Sequence, residues 1–157
     1  MKRTLPKRTL PKRIICIGNR YAAEDAAGPA VYDHLRPLVL PAGIELIDGG
    51  LAGLDLLRYL EGAEQVVFVD SVSGAQRGDP STVLILAEEE VAALASSRYG
   101  HSAGLAYLLR ILPEACDEPL PQVTLVGIEG HPDQAAIHKA AALALQIVGG
   151  SGYENRP

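Results

Sequence analysis

The chain has 157 residues, of which 48% are hydrophobic, and it carries two cysteines and a formal charge of −5. This length supports one packed core and is short for two ordinary domains. The apolar runs are too short to span a membrane, and two cysteines without a CxxC pair exclude a disulfide framework or a zinc ribbon. We therefore expect one globular domain in a reducing cytoplasm.

Charge is distributed unevenly along the chain. The first thirteen residues, MKRTLPKRTLPKR, hold six of the 14 basic residues and no acidic one, so the remainder has a formal charge of −11. Because such an acidic body repels nucleic acid and anionic lipid, we expect neither as a partner. The repeated KRTLP segments predict a disordered basic extension over residues 1–12, a single α/β domain over 13–150 and a flexible C-terminus over 151–157.

The first half of the chain alternates between strand and helix patterns. Residues 13–17 (RIICI) predict a buried strand, and a helical face begins at Ala26 and ends before Pro37. Residues 44–47 predict a second strand that ends in the turn Asp48-Gly49-Gly50. Leucines 54, 57 and 60 mark a second helix, and residues 65–69 (QVVFV) predict a third strand closed by Asp70.

The second half contains two further strands and three helices. The short link SGAQRGDP leads to a fourth strand over residues 82–86, which we expect to form a hairpin with the third and to run antiparallel to it. Helices follow over residues 88–95 and from the N-cap Ser102, with an apolar face at Leu105, Leu108, Leu109 and Leu112. Residues 123–128 predict a fifth strand, and Asp133 caps a last helix with a buried stripe at Ile137, Ala141, Ala144 and Val148.

This order predicts an α/β doubly wound three-layer sandwich. Its five-stranded sheet is mostly parallel, with one antiparallel strand and helices on both faces. Ligands of such sheets bind beyond the carboxyl ends of the strands. A doubly wound order places the first and third strands side by side, so Asp25 and Asp70, which follow them, should be neighbours.

Asp25, Asp70 and His101 are the candidate site residues. Two carboxylates and an imidazole from three separate segments suit a borderline divalent metal with open coordination positions. Each residue also has a simpler structural interpretation: Asp25 as a helix cap, Asp70 as a turn residue that binds the backbone of residues 71–73, and His101 as a surface loop histidine.

The segment GHSAG, residues 100–104, predicts a different chemistry. It matches GxSxG, the nucleophile elbow of serine hydrolases, and would make Ser102 the nucleophile. Suitable acid and base partners follow in the chain at Asp117, Asp133, His131 and His138. An elbow requires a buried strand directly before it, however, and the preceding EEEVAALASSRY is typical of helix and loop.

Five segments in register resemble the nickel–iron hydrogenase maturation proteases, which remove a C-terminal extension from the hydrogenase large subunit. The segments are GNRYAAEDAAG, IELIDGGLAGLDLL, VVFVDSVSG, GHSAGLAYLLRIL and VTLVGIEG, and together they cover roughly residues 13–130. The chain departs from the family pattern at Cys16, in place of a usual glycine, and at Leu51, in place of a frequent threonine. The segment after GIEG is also shorter than usual.

The resemblance implies residue roles. Asp25, Asp70 and His101 would be catalytic metal ligands, and Asn19, Asp48, Gly49 and Gly50 would bind the substrate. The metal would be nickel supplied by the large-subunit precursor, or another divalent cation in the isolated protein. Separately, we expect the protein to be a monomer. A serine esterase built on Ser102 and a non-catalytic nickel-sensing or nickel-carrying module are the alternative functions.

Overall fold

A computed structural model describes residues 9–51, 53–72, 82–94 and 103–149. The strands are β1 (Lys12–Ile17), β2 (Ile44–Gly50), β3 (Gln65–Val72), β4 (Thr82–Ala87) and β5 (Gln122–Glu129). The helices are α1 (Ala27–Leu35), α2 (Leu57–Leu60), α3 (Glu88–Leu94), α4 (Ala103–Ala115) and α5 (Gln134–Gly149). None of the helices in these described ranges is both long and apolar enough to cross a membrane.

The five strands form one sheet in the order β2-β1-β3-β5-β4. All neighbouring strands pair in parallel except β4, which pairs antiparallel with β5. This confirms the predicted fold class, a doubly wound, mostly parallel sheet, and it confirms that the first and third strands are neighbours. The carboxyl ends of β1, β3 and β5 therefore meet at one edge of the sheet.

Helices cover both faces of the sheet, as predicted. Helices α1 and α5 pack on one face against residues such as Ile14, Val67 and Val126. Helices α2, α3 and α4 pack on the other face around Phe68 and Leu125. The predicted apolar faces of the last two helices are buried, which confirms both stripes: Leu105, Leu108, Leu109 and Leu112 in α4, and Ile137, Ala141, Ala144 and Val148 in α5.

The predicted hairpin between the third and fourth strands is wrong. Strand β4 does run opposite to β3, but β5 lies between them and pairs with both. The reason is hydrophobic: β5 is buried along most of its length and belongs in the centre, whereas β4 is only partly buried and suits an edge. The link over residues 73–81 is long enough to pass one intervening strand, at about 3.3 Å per residue.

Strands β2 and β3 continue well past their predicted ends, and this changes how the site is built. Strand β3 extends to Val72, so Asp70 lies inside the strand instead of after it. Strand β2 extends to Gly50, and its register against β1 shifts between Cys16 and Ile17. The Asp48-Gly49-Gly50 segment is therefore an irregular strand end and not a free turn.

Candidate functional site

Asp25 is held at the carboxyl end of β1 by a short 3₁₀ helix, Ala23–Asp25. Its side chain is buried, and its Oδ2 accepts a hydrogen bond from the backbone N–H of Asn19 at 3.0 Å. Gly18 makes this fold of the chain possible, because its φ is +143° and a Cβ there would collide with the backbone carbonyl of Asp25. The loop between β1 and α1 thus wraps around the Asp25 carboxylate.

Asp25 does not cap the following helix. The N-cap position of α1 is Ala26, which offers no capping side chain. The Ala27 N–H instead donates a hydrogen bond to the Ser71 hydroxyl, at 3.2 Å. Ser71 was not predicted, although strand alternation places it on the α1 side of β3, opposite to Asp70. It ties the start of α1 to β3 and so fixes the loop that carries Asp25 relative to Asp70.

Asp70 lies near the carboxyl end of β3 and is only 3% exposed. Its Oδ1 accepts the Ser71 N–H at 2.8 Å, so part of the predicted turn-type bonding is present within the strand. Burial, and then the nearby negative charge of Asp25, raise the pKa of Asp70 well above its ordinary value, and the Ser71 hydrogen bond partly opposes this. The bond between Ala27 and Ser71 brings the chain segments of Asp25 and Asp70 together, so the two carboxylates are neighbours, as the strand order predicted.

Glu129 is a third buried acidic residue at the same edge, and the sequence analysis did not single it out. It ends β5 opposite Val72, while Gly127 lies opposite Asp70. Because side chains alternate along parallel strands, Asp70 and Glu129 project from the same face of the sheet. The signal was available, since Glu129 ends an uncharged strand in the same way that directed attention to Asp70.

His101 and Ser102 lie outside the described residues. Helix α4 begins directly after them, at Ala103. The other end of this helix is followed by six residues and then by the start of β5, so it lies toward the amino ends of the parallel strands. An α4 of 13 residues is about 20 Å long, so it begins toward the carboxyl edge of the sheet, on the face that carries Asp70. The described residues alone contain no group of three metal-binding side chains.

An open groove adjoins Asp25. It has a volume of about 340 Å³ and is lined by Gly18, Asn19, Arg20, Tyr21, Pro29, Asp48, Gly50 and Leu51. Arg20 pairs with Asp33 at 3.3 Å and with Asp48 at 3.7 Å, and so joins α1 to the end of β2. Of the substrate residues implied by the resemblance, Asn19, Asp48 and Gly50 line this groove. Gly49 packs against Ile15 and Ile17, where a Cβ would not fit.

Comparisons with known proteins agree with this architecture. A sequence model described as hydrogenase maturation protease matches residues 29–144, a range that includes Asp70 and begins just after Asp25. The hydrogenase 2 maturation protease of Escherichia coli K12 is 31% identical over 117 residues, which is 73% of this chain and 70% of that protein. The chain belongs to the hydrogenase maturation protease family. It is therefore a peptidase.

Solved structures of maturation proteases share the fold. The E. coli maturating endopeptidase HybD superposes with a TM-score of 0.76 and 27% identity, over 91% of this chain and 94% of that one. HybD of Thermococcus kodakarensis, a [NiFe] hydrogenase maturation protease, reaches a TM-score of 0.70 at 21% identity, over 88% and 99%. At that lower identity the likeness shows the fold alone.

Membership in the maturation protease family leaves little support for the alternative functions. Two candidate members of a serine triad have other contacts: Asp133 caps α5 by accepting the Ala136 N–H at 2.7 Å, and the ring of His138 lies 4.5 Å from that of His34. His138 is on α5, in the helix layer opposite to α4. The helix α3 agrees with the expectation that helix precedes GHSAG. A peptidase also differs from a module that only carries or senses nickel.

Proposed function

We propose that this protease removes the C-terminal extension of a nickel–iron hydrogenase large-subunit precursor, and that it recognises nickel already bound there through Asp25, Asp70 and His101. The supporting observation is the meeting of two buried carboxylates at the carboxyl edge of the sheet. Two neighbouring acids in a buried place are unfavourable unless one takes a proton or both share a cation. A divalent metal ion arriving with the substrate would satisfy both.

The chemistry of the donor set suits nickel. Imidazole binds nickel well, and two carboxylates and one imidazole leave coordination positions for groups of the precursor. Within this proposal the carboxylates of Asp25 and Asp70 orient the metal, and Asn19 and Ser71 orient the carboxylates through their backbone N–H groups. Bound nickel supplies Lewis acidity beside the peptide bond to be cut.

The partner and location follow the same proposal. The E. coli relative is named for hydrogenase 2, and we infer that this chain acts on a precursor of the same general class. We propose that it works as a monomer in the cytoplasm, without nucleic acid or membrane as a partner. Two free, buried cysteines, Cys16 and Cys116, are compatible with a reducing compartment.

The decisive experiment combines the purified protein with nickel-loaded and nickel-free large-subunit precursor. We expect cleavage of the loaded form only, and we expect His101→Ala to abolish it. His131→Ala is the matched control, because His131 is exposed and follows β5 at the carboxyl edge of the sheet. This variant should cleave the loaded precursor normally. Equal cleavage of nickel-free precursor, or full activity of His101→Ala, would disprove nickel recognition by these residues.

A further inference from the structure

The groove beside Asp25 has apolar walls that the metal site does not explain. Tyr21 follows β1 and is 92% exposed, and Leu51 follows β2 and is 70% exposed. A single exposed apolar residue needs no explanation, but these two come from separate segments and line one groove. We propose that the groove binds an apolar side chain of the precursor next to the bond that is cut, with Tyr21 and Leu51 as specificity-determining residues. This inference rests on the proposed function.

The described charges in the groove do not favour an acidic occupant. Arg20, the basic residue among its lining, is already paired with Asp33 and Asp48. An acidic substrate side chain would have to displace one of these partners to gain an ion pair. An apolar side chain only displaces water from Tyr21 and Leu51, which is favourable for burial of apolar surface.

The position of the groove identifies which part of the precursor occupies it. Asn19 binds Asp25 through its backbone N–H, and its side-chain Oδ1 accepts the Tyr21 N–H at 3.0 Å. One residue thus fixes the groove wall relative to a proposed metal ligand. A precursor whose nickel lies at Asp25 therefore has the residues around its scissile bond beside Tyr21.

The size of the groove limits the occupant to a short segment. A volume of about 340 Å³ is at the small end of the range for small-ligand pockets. It accommodates one or two side chains of an extended peptide and is too small for a packed helix. Its size therefore fits the short segment around the cleavage site that its position indicates.

The test measures steady-state cleavage of nickel-loaded precursor and equilibrium binding of nickel-free precursor. We expect Tyr21→Ala and the nearly isosteric Leu51→Asn each to raise KM by about tenfold, with kcat changed by less than about twofold. Tyr21→Phe, which keeps the ring, should retain the wild-type KM. Binding of the nickel-free precursor should weaken by the same factor as KM rises.

The control is Val39→Ala, because Val39 is fully exposed but lies between α1 and β2, at the other edge of the sheet. Its KM should equal that of the wild type. If the wild type cleaves but KM and binding are unchanged in Tyr21→Ala and Leu51→Asn, the inference is wrong and the proposed function stands. If the wild type does not cleave but binding depends on both residues, the proposed function fails and the groove assignment stands. Undetectable binding together with no cleavage overturns both.

Discussion

The acidic residues around the loop after β1 fall into two groups with opposite physical situations. Asp33 and Asp48 are exposed, and both pair with Arg20. Asp25 and Asp70 are buried next to each other, and among the described residues neither forms an ion pair with a basic side chain. Arg20 compensates the exposed group, whereas in the described ranges the buried group has backbone N–H donors and no basic side chain as a partner.

This difference separates what serves the fold from what serves the function. Paired surface charges contribute little in either direction, so their loss changes little. A buried carboxylate whose pKa is raised destabilises the folded protein at neutral pH, and natural proteins tolerate such costs mostly at functional sites. We therefore expect substitutions in the buried group and in the exposed group to change activity and stability by different amounts and with different signs.

The largest effect is expected from Asp70→Asn. Asparagine keeps the shape and can still accept the Ser71 N–H, but it removes the proposed metal-binding charge. Because loss of residues that merely support a ligand costs up to about 100-fold, we expect processing to fall by more than about 100-fold with the fold intact. Cleavage kinetics measure the activity, and circular dichroism measures whether the fold is intact. Asp55→Asn, an exposed acid after β2, is the control, and full activity of Asp70→Asn would contradict its role.

Gly28→Ala tests how the buried pair is held in place. A Cβ on Gly28 would collide with the backbone of Ile17, where α1 starts against the end of β1. We expect a loss of about 3 kcal/mol in the free energy of unfolding, or failure to fold, because the colliding atoms belong to the backbone and cannot move away as a flexible side chain could. Gly53→Ala, whose Cβ would lie 4.0 Å from the Leu51 carbonyl oxygen, an ordinary contact, should change stability by less than about 1 kcal/mol. Similar urea midpoints for the two variants would refute this close contact.

The pH dependence of stability distinguishes the two acidic groups. Because the pKa of Asp70 is raised in the folded state, the folded protein holds a proton that the unfolded chain has already lost above about pH 3.9. Metal-free protein should therefore lose stability as pH rises from that value through the raised pKa. The Asp70→Asn variant should lack this loss, so its free energy of unfolding should rise relative to that of the wild type as the pH increases. Urea titrations in EDTA measure it, and an unchanged difference across the range would show that Asp70 ionises normally.

The sequence predicted the fold class because hydrophobic periodicity is strong in this chain. It placed the buried faces of α4 and α5 and the neighbourhood of Asp25 and Asp70 correctly. It failed for β4, because a short link indicates direction but not adjacency. The central place of β5 depends on competition for burial across the whole sheet, which only the packed structure shows.

The candidate site was predictable in part for a similar reason. Asp25 lies in a glycine-bearing segment after the first strand, and Asp70 follows an uncharged strand pattern, so both could be identified as candidates. Their carboxylates indicate the chemistry. The bond from the Ala27 N–H to the Ser71 hydroxyl was not predictable, since it joins segments that are 44 residues apart, whereas the Asn19 bonds lie within the loop after β1. The interpretation of Asp25 as a helix cap was wrong because Ser71, from another strand, binds the first N–H of α1. The place of His101 stays a prediction.

The smallest effect is expected from Asp33→Asn, which removes one partner of Arg20 on the surface. Both side chains are about half exposed and separated by 3.3 Å, so the pair should contribute less than about 1 kcal/mol. Arg20 also keeps Asp48 as a partner, which reduces the loss further. In about 1 M salt, where the Debye length is about 3 Å, the variant and wild type should unfold at the same urea concentration. A loss above about 2 kcal/mol that persists in salt would show that Arg20 supports the fold as well as the groove.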